Sequence, residues 1–245
     1  MRLAVISDLH IESNTSPIYR DLLDFLSQDF VSETTIVFLG DIFDVFVGSK
    51  NIYITEFQEF FDALKRLDKS NLQIIYIEGN HDFQMEKVFS EIPSIKYLTS
   101  DYQLTLAGKQ FYFSHGDLAN PLDYSYRVLR WILRTKTLRF LIENVPDQIV
   151  AWVASALKLS SKGGQQYDVE GMRSTYRKFA EKKIIAHEAD FLIMGHCHDP
   201  DEYTFLIGGR PRQYINVGFP PSTGLVLNWA AGDTRVTRQK LNASH

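Results

Sequence analysis

The sequence predicts an α/β fold, two sheets packed as a sandwich and interrupted by one helical insertion. Three observations carry that expectation. Over roughly the first hundred residues, short apolar runs alternate with helical stripes, the pattern of βαβ units. From Tyr102 onward, short strands with glycine-bearing turns take over. Between them, residues 122–188 read almost entirely as helix.

Taken in order, Leu3–Ile6 is a short apolar run ended by Ser7 and Asp8, as a buried strand would be. Pro17 suits a first helical turn, where its missing N–H would have no partner. Tyr19, Leu22, Leu23, Leu26 and Phe30 then recur at helical spacing. Ile36–Leu39 is the second strand. Phe57, Phe60, Phe61, Leu64 and Leu67 form the next helical stripe, and Ile74–Ile77 is the third strand. Tyr102–Leu106 and Gln110–Ser114 flank Ala107-Gly108-Lys109 as a hairpin. After the helical stretch come strands at Phe191–Met194, Tyr203–Ile207, Gln213–Val217, Leu225–Trp229 and Arg235–Thr237. No repeat or low-complexity tract divides the chain. Residues 1–245 are expected to form one domain, with 122–165 as an insertion within it.

Composition narrows the class. With 44% hydrophobic and 23% charged residues, the chain lies outside the disordered range. Its formal charge of −4 gives no overall basic field, so nucleic acid is not an expected partner. A single cysteine, Cys197, excludes an internal disulfide. The first apolar run falls short of the roughly 7–15 residues of a secretory signal and the roughly 20 of a spanning helix. The cytoplasm is the expected compartment.

Metal-capable residues collect where strands stop. Asp8-Leu9-His10 follows the first strand and Gly40-Asp41-Ile42-Phe43-Asp44 the second. Gly79-Asn80-His81-Asp82 follows the third, Ser114-His115-Gly116-Asp117 closes the hairpin, and Gly195-His196-Cys197-His198 follows Phe191–Met194. In layered α/β folds, ligands bind beyond the carboxyl ends of strands. Any one cluster could be a polar turn, since Gly, Asn and Asp favour turns. Five in succession, holding every histidine except His187 and His245, point to a shared site. A phosphate ester resists attack because its oxygens repel an anionic nucleophile. Two divalent ions about 3.5–4 Å apart neutralise that charge and activate a water. Mixed His, Asp and Asn donors suit manganese, iron or zinc better than calcium. Asp41 is the carboxylate expected to bridge the two.

These five motifs, in this order, resemble the calcineurin-like metallophosphoesterase superfamily. The resemblance implies a four-layer αββα sandwich of two mixed sheets. It implies that Asp8, His10, Asp41 and His198 hold one metal, and that Asp41, Asn80, His115 and His196 hold the other. His81 falls on the position that contacts phosphate and protonates the leaving oxygen, with Asp82 orienting it; Asp44 looks like a support, and Cys197 like a small filler.

The insertion speaks to substrate. Leu122–Gln165 carries seven basic against three acidic side chains, a net +4, which leaves the remainder at −8. It also carries Trp131, Ile132, Leu133, Leu138, Phe140, Leu141, Trp152 and Val153. Basic and apolar together suit an anionic amphiphile or an anionic membrane surface. The layout of His115-Gly116-Asp117, then Asp123 and Tyr126, then a basic helical excursion resembles the UDP-2,3-diacylglucosamine pyrophosphatases of lipid A synthesis. That family implies cleavage of a UDP-linked glycolipid to UMP and lipid X beneath a lid over the acyl chains, on the cytoplasmic face of the inner membrane. Asp123, Tyr126 and, in a looser match, Lys162 fall on its substrate-binding positions. One position departs: the best-known branch has Arg in a Gly-Asn-Arg-Asp motif where this chain has His81. A general or cyclic-nucleotide phosphodiesterase would share the ligands without needing an apolar lid, and a non-catalytic scaffold on this fold would tolerate their loss.

Overall fold

Strand β1 (Arg2–Ile6) is buried from Leu3 to Ile6 on both faces, which is why it shows no polar alternation. The computed structural model describes residues 1–31, 33–68, 72–161, 169–220 and 225–240, with backbone alone at 155–161 and Leu225. Helix α1 (Pro17–Leu26) follows, with Pro17 in its first turn. Its Leu22, Phe25 and Leu26 are buried, each contributing roughly 1.5–3 kcal/mol by leaving water. Next come β2 (Thr34–Phe38), the short β3 (Phe46–Val47), α2 (Asn51–Glu56), α3 (Gln58–Asp68) and β4 (Gln73–Ile77). Then follow β5 (Asp82–Phe83), α4 (Glu86–Phe89) and β6 (Ile95–Leu98). The hairpin of β7 (Tyr102–Leu106) and β8 (Lys109–Ser114) turns on Ala107 and Gly108, at φ 45° and 78°; positive φ at both central residues matches the twist of the strands.

Four helices run in succession: α5 (Tyr124–Leu133), α6 (Lys136–Asn144), α7 (Asp147–Ser161) and α8 (Val169–His187). Asp123 caps α5 by accepting the Tyr126 amide, and Thr135 caps α6 by accepting the Leu138 amide. The remaining strands are β9 (Phe191–Met194), β10 (Asp201–Ile207), β11 (Arg210–Asn216), β12 (Leu225–Ala230) and β13 (Thr237–Lys240).

One sheet has the order β13-β12-β1-β2-β4-β6 and the other β10-β11-β9-β8-β7. Both are mixed. In the first, β1, β2, β4 and β6 are parallel, β12 runs against them, and the edge strand β13 runs against β12. In the second, β8, β9 and β11 are parallel while β7 and β10 run against them. Strand alternation builds the layers. Leu3, Val5, Val37, Ile75, Phe113 and Ile193 meet between the sheets. Ala4, Ile6, Ile36 and Phe38 face the opposite way, onto α1 and α3. Leu192, Met194 and Tyr214 cover the far side of the second sheet beneath Tyr176, Ala180 and Ile184 of α8. The result is the expected αββα sandwich.

Two details differ from the sequence pattern. The last strand begins at Thr237, not Arg235, because Asp233 accepts the Ala230 amide and the Trp229 indole N–H and folds the intervening residues into a turn. The edge strand β6 was absent from the expectation; lying at the rim, it is only half-buried and lacks a strong apolar run. The helical stretch also divides by role. Helix α8 forms an outer layer of the sandwich, whereas α5, α6 and α7 rise beside the strand ends and touch the first core through Leu133, Ile142, Val145 and Val150.

Candidate metal centre and its cavity

The clusters at the ends of β1, β2, β4, β8 and β9 converge. Adjacent strands bring the loops together: the Asp8 amide donates to the Gly40 carbonyl (3.1 Å) and the His10 amide to that of Asp41 (3.0 Å). Asp8, His10, Asp41, His196 and His198 all take left-handed backbone, with φ of 54°, 46°, 53°, 72° and 57°. That conformation costs a non-glycine residue about 1–3 kcal/mol, and here it falls on five of the seven expected ligands. Two glycines make room for it. A Cβ on Gly79 would stand 2.1 Å from Asp41 Oδ1, and one on Gly195 would stand 2.3 Å from Asp8 Oδ2.

Asp41 is fully buried and splits its carboxylate between two duties. Oδ1 accepts the Asn80 and His81 amides, both at 2.9 Å. Oδ2 faces His10 Nε2 at 3.7 Å and His115 Nε2 at 3.5 Å. On the first side, His10 Nε2 is 2.9 Å from His198 Nε2, which is 3.6 Å from Asp8 Oδ1. On the other side, His115 Nε2 is 3.0 Å from Asn80 Oδ1, and His196 joins His115 and Asp41 in one group of converging ligand atoms. The seven residues therefore form two pockets that share Asp41.

The chemistry of this donor set fits divalent cations. His115 donates Nδ1–H to the Leu39 carbonyl (2.9 Å), which turns Nε2 inward. Burial disfavours its charged form, but Asp41, Asp117 and Asp8 outweigh that and hold its pKa up to about 10. Burial also opposes ionisation of Asp41, yet His115, His81 and His10 keep its carboxyl well below the usual range. A field that binds a proton so firmly will bind a cation. His196 is the converse: burial, reinforced by the charge of His115, pushes it down to about 4 and keeps the ring neutral, as a ligand must be. Its Nδ1 is buried with no hydrogen-bond partner among the described residues.

Supporting residues correct one expectation. Asp82 does not orient the His81 ring. Its buried carboxylate accepts the amides of Asp41 (3.0 Å), Ile42 (2.7 Å) and Gly79 (2.9 Å) and the Tyr76 hydroxyl (2.6 Å), and so clamps the Asp41 loop to the Asn80 loop. Burial and the nearby charge of Asp41 push Asp82 up to about 6. The His81 ring is held instead by the Asp44 carbonyl, which accepts from Nδ1 at 2.7 Å. A carbonyl cannot donate, so Nδ1 carries the proton and Nε2 is left for chemistry. The Asp44 carboxylate lies 3.7 Å from His10 Nδ1, the support anticipated for it.

A cavity of about 420 Å³ opens from this centre, within the range of about 300–1,000 Å³ usual for ligand pockets. Asp44, Asn80 and His81 line one end; Leu138, Leu141, Ile142, Val150 and Val153 of the insertion line the other. Tyr126 lines it too, its hydroxyl donating to Asp117. Asp123 is accounted for as the cap of α5, and Lys162 lies outside the described residues. Asp117, Arg130 and Arg134 were not among the expected site residues. Arg130 Nε donates to buried Asp117, while Arg134 Nε donates to buried Glu78. Their signal was present as spacing: Tyr126, Arg130 and Arg134 recur every four residues, on one face of α5.

Known proteins resemble this chain over most of its length. The UDP-2,3-diacylglucosamine hydrolase of Aeromonas salmonicida is 28% identical over 245 residues, covering 98% of this chain and 94% of that one. The hydrolase of the same name from Chromohalobacter salexigens is 27% identical and covers 89% and 88%. That of Stutzerimonas stutzeri is 28% identical and covers 88% and 90%. The family model described as calcineurin-like phosphoesterase matches residues 1–200 and so takes in all five polar clusters. This chain belongs to the calcineurin-like phosphoesterase family and is a metal-dependent hydrolase.

Proposed function

We propose that the protein is a two-metal pyrophosphatase that cleaves UDP-2,3-diacylglucosamine to UMP and lipid X. The observation that carries this reading is the continuous cavity from Asn80 and His81 into the apolar interior of the insertion. A phosphate monoester or cyclic nucleotide has no use for that end; acyl chains do. The names of the relatives point the same way.

Asp8, His10, Asp41 and His198 would hold one ion and Asp41, Asn80, His115 and His196 the other, with manganese the metal we favour over iron or zinc. When bound, such a pair neutralises phosphoryl oxygens and renders water nucleophilic. The chain's own residues do the rest. Asp41 would serve both ions, since its Oδ2 faces His10 on one side and His115 on the other. Burial and the neighbouring His10 lower the proton affinity of His81, while Asp41 and Asp82 raise it; burial prevails. An incoming phosphoryl anion opposes burial, so Nε2 gains its proton as substrate binds and can pass it to the departing oxygen. Leu138, Leu141 and Val153 shelter the chains.

No described helix is long and apolar enough to cross a membrane. Trp131, Phe140 and Trp152 are 71%, 64% and 72% exposed on the insertion, beside its basic residues. They support peripheral contact with an anionic membrane surface on the cytoplasmic side. The deciding experiment compares kcat/KM on UDP-2,3-diacylglucosamine and on UDP-glucosamine. Burial of a methylene is worth about 0.8 kcal/mol, so the diacyl form should be favoured by at least about 100-fold. Equal efficiency would replace this reading with a general phosphodiesterase.

A further inference from the structure

Arg134, at the end of α5, ties the insertion to the loop that carries Asn80 and His81. Its Nε donates to Glu78 and its Nη2 to the Gly79 carbonyl (3.0 Å). Glu78 has a side chain only 1% exposed. Its other oxygen accepts from the Tyr97 hydroxyl and from the Gln84 amide (3.1 Å). The Phe83 ring lies 5.7 Å from the guanidinium carbon. Burying an ion pair contributes little net stability, because desolvation cancels most of the attraction. What such a pair does achieve is direction. A planar fork held on two sides points its remaining N–H groups one way.

Arg134 lines the cavity together with Asn80, His81 and Tyr126, and its bond to the Gly79 carbonyl sets it beside Asn80. Among the described lining residues, the cationic side chains are Arg130 and Arg134. Arg130 is turned toward Asp117 and the Thr99 carbonyl. Arg134 has five N–H donors, and its bonds to Glu78 and Gly79 engage two. A pyrophosphate diester has two phosphoryl groups, and the metal centre can take only the one that is attacked. The second, still anionic, must lie elsewhere in the cavity, where Arg134 is a lining cation with donors to spare.

We propose that Arg134 is the specificity-determining residue for this second phosphoryl group, selecting diphosphate substrates over simple phosphodiesters. The proposal rests on the pyrophosphate reading above. A site built with fixed donors rejects a substrate lacking the acceptor far more strongly than an apolar pocket rejects a missing methylene.

The test measures binding by calorimetry on the manganese-loaded enzyme, with α,β-methylene-UDP and UMP as probes. Metal content is checked for each variant. The wild type should bind the two-phosphoryl probe at least tenfold more tightly than UMP. Arg134→Gln should shrink that ratio to threefold or less. Arg134→Lys, which can still pair with Glu78 but lacks the fork, should shrink it likewise while keeping the melting temperature of the wild type. A kinetic ratio follows the same logic: kcat/KM on UDP-diacylglucosamine relative to bis(4-nitrophenyl) phosphate should fall at least tenfold in both variants. Equal losses on both substrates, accompanied by lost metal, would make Arg134 a mere tether for the Asn80 loop and overturn the assignment. So would a preference that survives either substitution, or no wild-type preference for the two-phosphoryl probe. A preference that depends on Arg134 in an enzyme indifferent to acyl chains would sink the lipid reading and leave the phosphoryl assignment standing.

Discussion

A carboxylate shared by two cations must be dry, must present one oxygen to both and must have its other oxygen engaged. Asp41 satisfies all three conditions, through burial, through Oδ2 facing His10 and His115, and through Oδ1 accepting two amides. His81 differs, because its ring is fixed from outside the ligand set by a backbone carbonyl. The two residues should therefore fail in different ways. In Asp41→Asn the group facing the imidazoles becomes neutral, so bound metal measured by mass spectrometry should drop below two ions per chain and turnover should disappear. His81→Ala should keep both ions and lose about 10²–10⁴ in rate, with a smaller loss for a nitrophenolate leaving group that needs no proton. Metal loss in His81→Ala, or equal losses for good and poor leaving groups, would remove its acid role. At this scale the convergence of the proposed ligands could be anticipated from the sequence because they recur as polar clusters at strand ends. The partners of Asp82 could not, since its role is defined by amides of residues some forty positions away in the chain.

Elements here are joined by buried charges. Glu78 and Asp117 hold α5, and on the opposite side Lys50 holds the joint between α6 and α7. Lys50 is 5% exposed; its ammonium donates to the carbonyls of Glu143 (3.2 Å) and Val145 and lies 3.5 Å from Asp147. Lys50→Met keeps the aliphatic stem and removes the donor, leaving carbonyls at the end of α6 unsatisfied. The expected cost is about 1–3 kcal/mol, visible as a lower melting temperature and as faster proteolysis within residues 136–154. Metal content should stay at the wild-type level, since no ligand touches Lys50. Unchanged proteolysis would mean that apolar contact alone holds α6 and α7. Helical periodicity announced the helices α5 to α7 and their basic, apolar character. Which face turns inward was hidden, because an arginine paired with a buried carboxylate and one facing water look alike in a sequence. Strand β6 was hidden for a related reason: an edge strand needs less apolar sequence than a central one.

At the scale of the whole molecule, the sandwich gathers the loops of the proposed ligands on one rim with helices α5 to α7 beside it, so one cavity is lined by both polar and apolar side chains. Eleven of the eighteen large exposed hydrophobic residues described lie between Leu122 and Val153. A patch so concentrated, beside Arg127 and Lys136, is unlike the scattered apolar surface of an ordinary soluble face. Its outer part and the cavity lining are separable by mutation. Leu141→Glu with Val153→Glu places charge in the apolar end of the cavity. It should cut the preference for the diacyl substrate over UDP-glucosamine at least tenfold. Trp131→Ser with Trp152→Ser strips the outer face instead. Binding to vesicles containing about one-third anionic lipid should weaken several-fold, while the preference measured on detergent-dispersed substrate should change far less. Raising salt from 50 to 500 mM should weaken wild-type vesicle binding, because the Debye length falls from roughly 14 to 4 Å and screens the basic residues. It should leave the acyl preference intact, since burial of a chain is not screened. If both double variants lose vesicle binding and acyl preference in parallel, the cavity lining and the outer face act as one surface, and the separation drawn from which residues line the cavity is wrong.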